Sequence, residues 1–484
     1  MHSPEDIRRG LKISIFEGAL AHVYANLTGG IFLPAFALIL FASELQIGIL
    51  AALPFFATIA QIFGSVMVER FGHRKTVAIF FALLSRLLWI PIVILVLQLF
   101  DQSRSLLLTL VILIVLIHHL LGALSGVAWL SWMSNLVPPM IRGRFFGLRN
   151  SVLGTITIGV TLAGGYFLDW FHLRFDNLSP SWPFVILFII AIIAGVSSAI
   201  LLIRQPDPGQ QRRNSVFLPN LFKQPFQNDQ FRLMLGFAMI WSFAVNFASP
   251  FFIVYMIKDL NFSYTLISLM TILAALADLS GMGFWGTFSD RHGNRPVILI
   301  SALVGATLPF FWLFSDSSLW SVVFLVPLLH LAGGFFFAGY NLCSVNLLFN
   351  QVPRNNNSIY FALWSVINGF AAGLGAITAG FLYKHLDGLM AFIPLDIDSG
   401  FKIIFIISFL LRLAAVLMMR QISEPKGLPV IRAVRILRSV RVWATTMGYH
   451  PLLQFFLPYA KIKSSASSEG DYWPLWKRPD TRQV

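Results

Sequence analysis

The sequence predicts an all-α polytopic membrane protein with twelve transmembrane helices in two pseudo-symmetric six-helix bundles. The first observation is composition: 57% of the 484 residues are hydrophobic and only 12% are charged, whereas a soluble domain carries about 25% charged residues. The second is a duplicated polar signature, SVMVERFGHRK at 65–75 and GTFSDRHGNRP at 286–296. Each copy lies between two long apolar stretches, which is typical of membrane proteins built from two related halves.

Twelve apolar stretches are long enough to cross a bilayer, which takes about 20 helical residues. In chain order they cover 13–40, 45–69, 75–99, 105–135, 147–169, 182–204, 233–258, 264–289, 296–315, 320–349, 360–384 and 401–420. The segment before the first stretch is polar and basic, and the stretch is too long for the core of a cleaved signal peptide. We therefore expect the first apolar stretch to remain in the membrane as a helix.

The distribution of basic residues predicts the orientation of the chain. With both termini in the cytoplasm, 28 of the 35 Lys and Arg residues fall on the cytoplasmic side, which is the positive-inside pattern. Five fall on the far side: Arg104, Arg174, Lys258, Lys384 and Lys402. We therefore predict a multi-pass protein of the cell membrane with both termini cytoplasmic. The net charge of +14 then faces anionic inner-leaflet lipid, and we expect no nucleic-acid partner.

Repeated residues beyond the signature divide the chain into parts. Asn135–Pro138 matches Asn350–Pro353, and Gly165 matches Gly380, both at an offset of 215 residues. We predict a first six-helix half at 1–204, a cytoplasmic linker at 205–232, a second half at 233–420 and a cytoplasmic tail at 421–484. Four arginines recur every third residue among apolar residues of 430–443, which predicts a basic amphipathic segment lying on anionic lipid.

Twelve helices, a central linker and the two signatures resemble the major facilitator superfamily of secondary transporters, over residues 1–420. The signature residues are Ser65, Glu69, Arg70, Gly72, Arg74 and Lys75 in the first copy, and Gly286, Asp290, Arg291, Gly293 and Arg295 in the second. The first copy departs from the family pattern, which has Gly at Ser65 and Asp at Glu69. The RGR triplet Arg142–Arg144 resembles the family's loop between helices 4 and 5. The resemblance implies that the signatures hold the halves closed on the cytoplasmic side and release as a central cavity opens inward.

Elementary physical chemistry predicts roles for the signature residues without the family. The glycine permits close approach of two helices. The acid lies at a helix end, where an arginine or the N-terminus of a neighbouring helix would satisfy it. Arg74 and Lys75 then begin the next helix at the level of the lipid headgroups. An ordinary basic loop of the positive-inside kind is the alternative, and it explains two matched copies poorly.

Polar and ionisable side chains inside the spans are costly and usually face a cavity or a partner. In the family fold, helices 1, 4, 7 and 10 line the central cavity. The candidate ion- or substrate-binding residues are Glu17, Asn26, His118, His119, Trp129, Asn246, Asp278 and Asn341. Asp278 lies near the middle of helix 8, and its counterpart in the first half is the apolar Ala57. A proton or cation site at Asp278 is the functional interpretation, and a structural Asp hydrogen-bonded to Ser280 or to a facing helix is the alternative.

Structural interpretations remain open for the other ionisable residues. Glu17 would complement the N-terminus of helix 1 if it does not face the cavity. His118 and His119 point about 100° apart on their helix, and hydrogen bonding inside the bundle is the favoured interpretation for both. Arg86 and Arg412 belong to helices that the family fold places at the periphery. We expect structural roles for them, with Arg412 extending towards the headgroups.

Together these observations favour a secondary active transporter that moves a small solute by alternating access and is coupled to an ion gradient, with the proton as the expected ion. A non-transporting sensor, receptor or assembly factor on the same scaffold is the alternative. The chain contains neither HExxH nor a P-loop, so we expect no enzyme, no cofactor and no metal site. We expect a monomer whose partners are its small-molecule substrate and the lipid bilayer. Helix 5 lacks the Gly-Pro pair of the family's drug antiporters, which argues against drug efflux.

Overall fold

The structure is a computed structural model that describes residues 4–71, 73–207, 224–352, 357–386, 399–424 and 428–437. Within these ranges, twelve helices are long and apolar enough to cross a membrane, as predicted. They are α1 Glu5–Ile39, α2 Glu44–Val68, α3 Arg74–Leu99, α4 Arg104–Leu136, α5 Pro139–Arg174, α6 Trp182–Ile203, α7 Asp229–Lys258, α8 Tyr264–His292, α9 Asn294–Phe314, α10 Ser321–Gln351, α11 Tyr360–Lys384 and α12 Gly400–Met419. A further helix, α13, covers Val430–Leu437.

Two helices extend well beyond their predicted spans. The α1 span consists of two helices, Pro4–Leu27 and Phe32–Ile39. Glu5 and Asp6 occupy the first turn of the helix that begins at Pro4, where acidic side chains are stabilising. In α5, a 3₁₀ turn leads directly into a helix that starts at Arg142. The expectation of a loop at the RGR triplet is therefore wrong: the triplet forms the first helical turn.

Side-chain caps explain where several helices begin. The hydroxyls of Ser43, Ser103 and Ser263 accept hydrogen bonds from backbone N–H groups in the first turns of α2, α4 and α8. The Asn228 side chain does the same for α7. Caps of this kind contribute about 1 kcal/mol each. Together they fix which residues leave the loops and enter the spans.

Successive spans reverse direction, so the start of α1 and the end of α12 lie on one face, which we call the terminal face. There Gly10 of α1 contacts Pro206, which follows α6. The Leu428 N–H, after α12, donates to the carbonyl of His292 at the end of α8. The other face, which carries the α1–α2 and α7–α8 connections, is called the opposite face.

The apolar core is continuous at the opposite face and divided at the terminal face. One cluster joins the two halves and includes Phe36 and Phe188 of the first six helices and Phe251 and Tyr255 of the last six. Towards the terminal face each half has a cluster of its own, one around Trp132 and a separate one that contains Trp241, Trp285 and Ala433 of α13. Among the described residues, the apolar cores of the two halves are thus continuous with each other at the opposite face.

Glycines allow backbone contact where the halves meet, between α2 and α11 and between α5 and α8. A Cβ added to Gly380 of α11 would overlap the Glu44 carbonyl oxygen of α2, and one added to Gly165 of α5 would overlap the Ser268 hydroxyl of α8. Gly165 and Gly380 are matched residues of the sequence repeat. The two contacts are thus related by the same pseudo-symmetry as the halves.

Polar contacts close the same face. The Asp169 carboxylate at the end of α5 accepts hydrogen bonds from the backbone N–H groups of Tyr264 and Thr265, at 3.0 and 2.7 Å, and so caps α8 across the boundary between the halves. Lys258 at the end of α7 forms an ion pair with Glu44 at 2.7 Å. Within the described part of the chain, the hydrogen bonds and the ion pair that join the halves lie towards the opposite face.

Candidate functional site

A buried charge cluster lies inside the first half, centred on Glu17 of α1, whose residue exposure is 3%. Its carboxylate oxygens lie 3.8 Å from the Arg86 guanidinium of α3 and 3.6 Å from that of Arg149 of α5. The Ser198 hydroxyl of α6 donates to the same carboxylate at 3.3 Å. Arg149 also lies over the Trp129 ring of α4, 4.6 Å from its centroid. The cluster therefore connects five of the six helices of this half.

This cluster corrects two expectations. Glu17 does not complement the N-terminus of α1, because the helix begins at Pro4 and Glu17 lies several turns inside it. Arg86 is not at the periphery, because its guanidinium points inward to Glu17. Glu17 and Arg86 both lie inside predicted spans of the first half, and charges in a bilayer tend to pair. That pairing was the signal that sequence reasoning missed.

The two histidines of α4 lie beside this cluster. His118 Nδ1 is 3.1 Å from the Ser85 carbonyl oxygen of α3 and 3.1 Å from the Tyr24 hydroxyl of α1. The His119 ring packs against the His118 ring at a centroid distance of 4.9 Å. For His118 the structure agrees with the interpretation as a histidine hydrogen-bonded inside the bundle.

Asn26 and Asn246 occupy equivalent places in the two halves. Each side-chain amide donates to the backbone carbonyl four residues earlier, Asn26 to His22 at 2.8 Å and Asn246 to Ser242 at 2.9 Å. Asn26 also donates to Thr157 of α5 at 3.2 Å. In the second half the Ser242 hydroxyl donates to Asn368 of α11. Similar polar layers therefore join α1 to α5 and α7 to α11.

Asp278 of α8 is half-buried. Among the described residues, no hydrogen bond or ion pair to its carboxylate is present. The Ser280 hydroxyl donates instead to the Ala277 carbonyl at 2.9 Å, so the expected structural partner does not bind it. Asn341 of α10 is exposed. Neither residue joins the Glu17 cluster, and the candidate residues thus form separate groups in the two halves.

The second signature copy forms the tight α8–α9 connection. Gly293 has φ of +93°, a conformation that favours glycine. The Asp290 and Arg291 side chains at the end of α8 are exposed. Gly286 is not needed for close helix approach, because an added Cβ would make an ordinary 3.5 Å contact with Leu342. The observed packing is thus compatible with Ser65 at the matching position.

The N-terminus of α9 is occupied by an acid that the sequence argument did not single out. The Glu424 carboxylate accepts from the backbone N–H groups of Asn294 and Arg295 at 3.2 and 2.7 Å. The Arg295 guanidinium donates to the Arg420 carbonyl at 3.0 Å. Glu424 therefore takes the place that we expected for Asp290.

The first signature copy is anchored within its own half. Ser65 donates to the Ile62 carbonyl at 2.8 Å, Arg74 to the Ser131 carbonyl at 2.9 Å and Lys75 to the Gln205 carbonyl at 2.7 Å. Gly72 and the side chains of Glu69 and Arg70 lie outside the described part of the chain.

Asp207 after α6 interacts electrostatically with Arg74 at the start of α3. Asp207 and Glu424 each precede a proline that follows the last helix of their half. This repeated acid-Pro pair was the signal that could have identified Glu424. Each half therefore places an acid from its final segment at the start of its own third helix.

An open cavity of about 320 Å³ is lined by residues of the second half. Its lining comes from five of the six helices of this half: Ser249, Phe252, Ala274, Leu308, Trp312, Leu329, His330, Gly333, Gly334, Phe337 and Arg412. Arg412 of α12 is 2% exposed and donates to the carbonyls of Gly305 at 2.8 Å and Val245 at 3.3 Å. The expectation that Arg412 extends towards the headgroups is therefore wrong, because these carbonyls hold it inside the bundle.

Comparison with known proteins finds a family model described as Major Facilitator Superfamily, which matches residues 18–252 and 234–462. The chain is similar to "Uncharacterized transporter YwbF" of Bacillus subtilis (strain 168), 23% identical over 209 residues, which are 43% of this chain and 50% of that protein. It is also similar to "Multidrug resistance protein MdtG" of Klebsiella pneumoniae (strain 342), 32% identical over 105 residues, 21% and 23% of the two chains. The match thus spans half or less of these relatives.

Among solved structures, the crystal structure of the nucleoside transporter NupG superimposes with a TM-score of 0.63 at 15% identity. The superposition covers 86% of this chain and 98% of that chain. At this identity the likeness shows the fold alone.

Proposed function

Because the chain belongs to the Major Facilitator Superfamily, whose matched relatives and structural neighbours are named as transporters, we propose that it is a secondary active transporter. It moves a small solute across the cell membrane by alternating access, without enzymatic chemistry. The observation that carries this proposal is the core that is shared by the halves at the opposite face and divided between them at the terminal face. A static receptor needs no such division.

The contacts between the halves support a conformation closed on one side. The cap that Asp169 of α5 forms on the start of α8 and the Lys258–Glu44 ion pair both lie at the opposite face. The basic residues place the terminal face in the cytoplasm by the positive-inside rule. In this proposal, the structure represents the inward-facing state, and transport requires these contacts to break while the signature residues close the terminal face. Such exchange needs only a few kcal/mol of differential stabilisation.

Asp278 is the proposed site of proton coupling. It is a half-buried carboxylate near the middle of a spanning helix, where a carboxylate without a partner is costly in its charged form. The Glu17 carboxylate is less suited to exchange a proton with solvent, because it is nearly inaccessible and lies between two arginines. Asp278 therefore loads and releases the proton, and the solute binds between the halves.

The test begins with a screen of solutes for thermal stabilisation of the purified protein, followed by flux of a stabilising solute in proteoliposomes with and without a pH gradient. Asp278→Asn should abolish gradient-driven accumulation and leave exchange of the same solute largely intact, because Asn keeps the shape and cannot carry the charge. The matched control is Asp101→Asn, which makes the same change at an exposed site between α3 and α4. Normal, pH-dependent accumulation by the Asp278 variant would contradict the coupling role. Absence of any solute flux in the unaltered protein would contradict the proposed function itself.

A further inference from the structure

We propose that the cavity of the second half is a binding site for a small apolar monocarboxylate. The residues that line the cavity all belong to the second half. Its lining combines one permanently charged guanidinium, that of Arg412, with a wall of aromatic and aliphatic side chains. The proposal goes beyond transport of a solute between the halves, and it concerns binding alone.

The Arg412 guanidinium lacks a counter-charge. Two of its neighbours, the Gly305 and Val245 carbonyls, accept hydrogen bonds from its terminal nitrogens. Its buried Nε–H has no hydrogen-bond acceptor, although a guanidinium carries five N–H donors. Within the described part of the chain, no carboxylate forms an ion pair with it. A buried charge in this condition is costly, and an anion in the cavity would relieve that cost.

The first half shows how a buried arginine is ordinarily neutralised in this molecule. Arg86 is also buried, and its guanidinium lies 3.8 Å from the Glu17 carboxylate. In the second half the chain provides a cavity beside the arginine instead of a carboxylate. The ligand therefore supplies the negative charge that the protein does not.

The walls define the rest of the ligand. Phe252, Trp312 and Phe337 line the cavity together with leucines, which favours a flat apolar body. The His330 Nδ1 lies 3.0 Å from the Val326 carbonyl, so this nitrogen carries the proton and donates it. A single guanidinium matches one carboxylate, whose two oxygens accept parallel N–H bonds from its planar fork. A volume of about 320 Å³ is at the small end of ligand sites, which suits a molecule of benzoate size.

The experiment measures equilibrium binding of radiolabelled benzoate to the purified full-length protein in chloride-free buffer, with benzyl alcohol as the uncharged competitor. Arg412→Met should weaken benzoate binding by about ten-fold to a hundred-fold, the range for loss of a charge-assisted hydrogen bond. Gly333→Leu should abolish it with the charge intact. The nearest atom to a Cβ added at Gly333 is Leu308 Cδ1 at 3.7 Å. The leucine side chain therefore extends into the cavity without overlapping backbone atoms. Arg104→Met, which removes a guanidinium at the opposite face outside the cavity, should bind like the unaltered protein.

Three results would overturn the proposal. They are unchanged benzoate binding in Arg412→Met, competition by benzyl alcohol as strong as that by unlabelled benzoate, and equal competition by chloride, which would reduce the site to a simple counter-ion position. If Arg412→Met fails to fold, Gly333→Leu still decides the question, because retained benzoate binding there contradicts the assigned cavity. No gradient or flux is measured, so this test fails or succeeds independently of the proposed transport function.

Discussion

At the scale of single residues, the molecule holds two kinds of buried arginine. The buried Arg86 shares one carboxylate, Glu17, with the half-buried Arg149, and the three side chains fix the mutual positions of α1, α3 and α5. Arg412 instead donates hydrogen bonds to backbone carbonyls beside a cavity. In the first arrangement the guanidiniums face a carboxylate of the chain, whereas among the described residues no carboxylate faces Arg412. We therefore assign the Glu17 cluster to the stability of the first half.

Glu17→Gln should lower the stability of the purified protein by about 3 kcal/mol, because it leaves the buried Arg86 and the half-buried Arg149 without a counter-charge. A thermal unfolding series in detergent measures this loss. Arg86→Met in the same chain should recover part of it, since a well-packed apolar side chain then replaces one uncompensated charge. Equal stability of Glu17→Gln and the unaltered protein would show that the cluster is not structural.

At the scale of helices, the boundary between the halves is formed by backbone against backbone. The α2–α11 contact brings Gly380 against the Glu44 carbonyl and Gly48 against the Ala376 carbonyl. Contacts of this kind leave no room for a side chain, so a single methyl group acts as a wedge. In the proposed transport cycle this contact exists only while the opposite face is closed, so the added methyl group should destabilise that conformation selectively.

Gly380→Ala should therefore shift the protein towards opening at the opposite face. A cost of about 2 kcal/mol for overpacking corresponds to a shift of roughly thirty-fold in the ratio of conformations. The measurement is labelling of a cysteine introduced at Asn246 by a membrane-impermeant maleimide applied from the opposite face. The native cysteine of the sequence, Cys343, is replaced by Ala in this chain. Gly159→Ala is the control, because nothing lies within 4 Å of a Cβ at that position. Equal labelling in both variants would contradict the wedge.

The helix α13 is docked to the second half. Ala433 is buried in the core cluster of that half, whereas Arg432 and Arg435 are exposed. The predicted helix is thus present over Val430–Leu437, and part of its apolar face packs against protein rather than lipid. Residues 438–443 of the predicted amphipathic segment lie outside the described residues, and lipid binding by the exposed arginines stays a prediction.

Glu424→Ala should accelerate tryptic cleavage after Arg432 and Arg435 by about ten-fold, because the start of α9 loses a cap worth about 1 kcal/mol or more and the segment leading to α13 is released. Limited proteolysis of the purified protein measures the rate. Asp290→Ala, which removes an exposed acid on the same face, should leave the rate unchanged. Faster cleavage of Asp290→Ala than of Glu424→Ala would instead indicate that Asp290 stabilises this face.

At the scale of the whole molecule, the orientation of the twelve spans is directly testable. In a Cys343→Ala background, cysteines at Asp176 and Asp316 should react with an impermeant reagent in intact cells. Cysteines at Gln210 and Ser464 should react only after permeabilisation, because the basic loops hold that side in the cytoplasm. Reaction of the Gln210 cysteine in intact cells would contradict the predicted topology.

Fold and site differed in how far the sequence could predict them. Span number and the pairing of halves follow from apolar length and repeated residues, and Gly165 and Gly380 do occupy matched contacts. The partners of Glu17 and the position of Arg412 depend on which helix faces meet, and a single sequence does not encode that in any local pattern. The acid at the start of α9 was misassigned because Glu424 lies 130 residues from Asn294 along the chain and adjacent to it in space.

Both final segments are anchored on the terminal face, so they offer attachment points for measuring the distance between the halves. The residues after α6 are tied to the first half through Lys75, and α13 is tied to the second half through Leu428 and Glu424. Arg204 and Ile431 are both exposed at these anchored places. A pair of spectroscopic probes at the two positions would move with the halves themselves. Their separation would therefore record each opening and closing of the terminal face in real time.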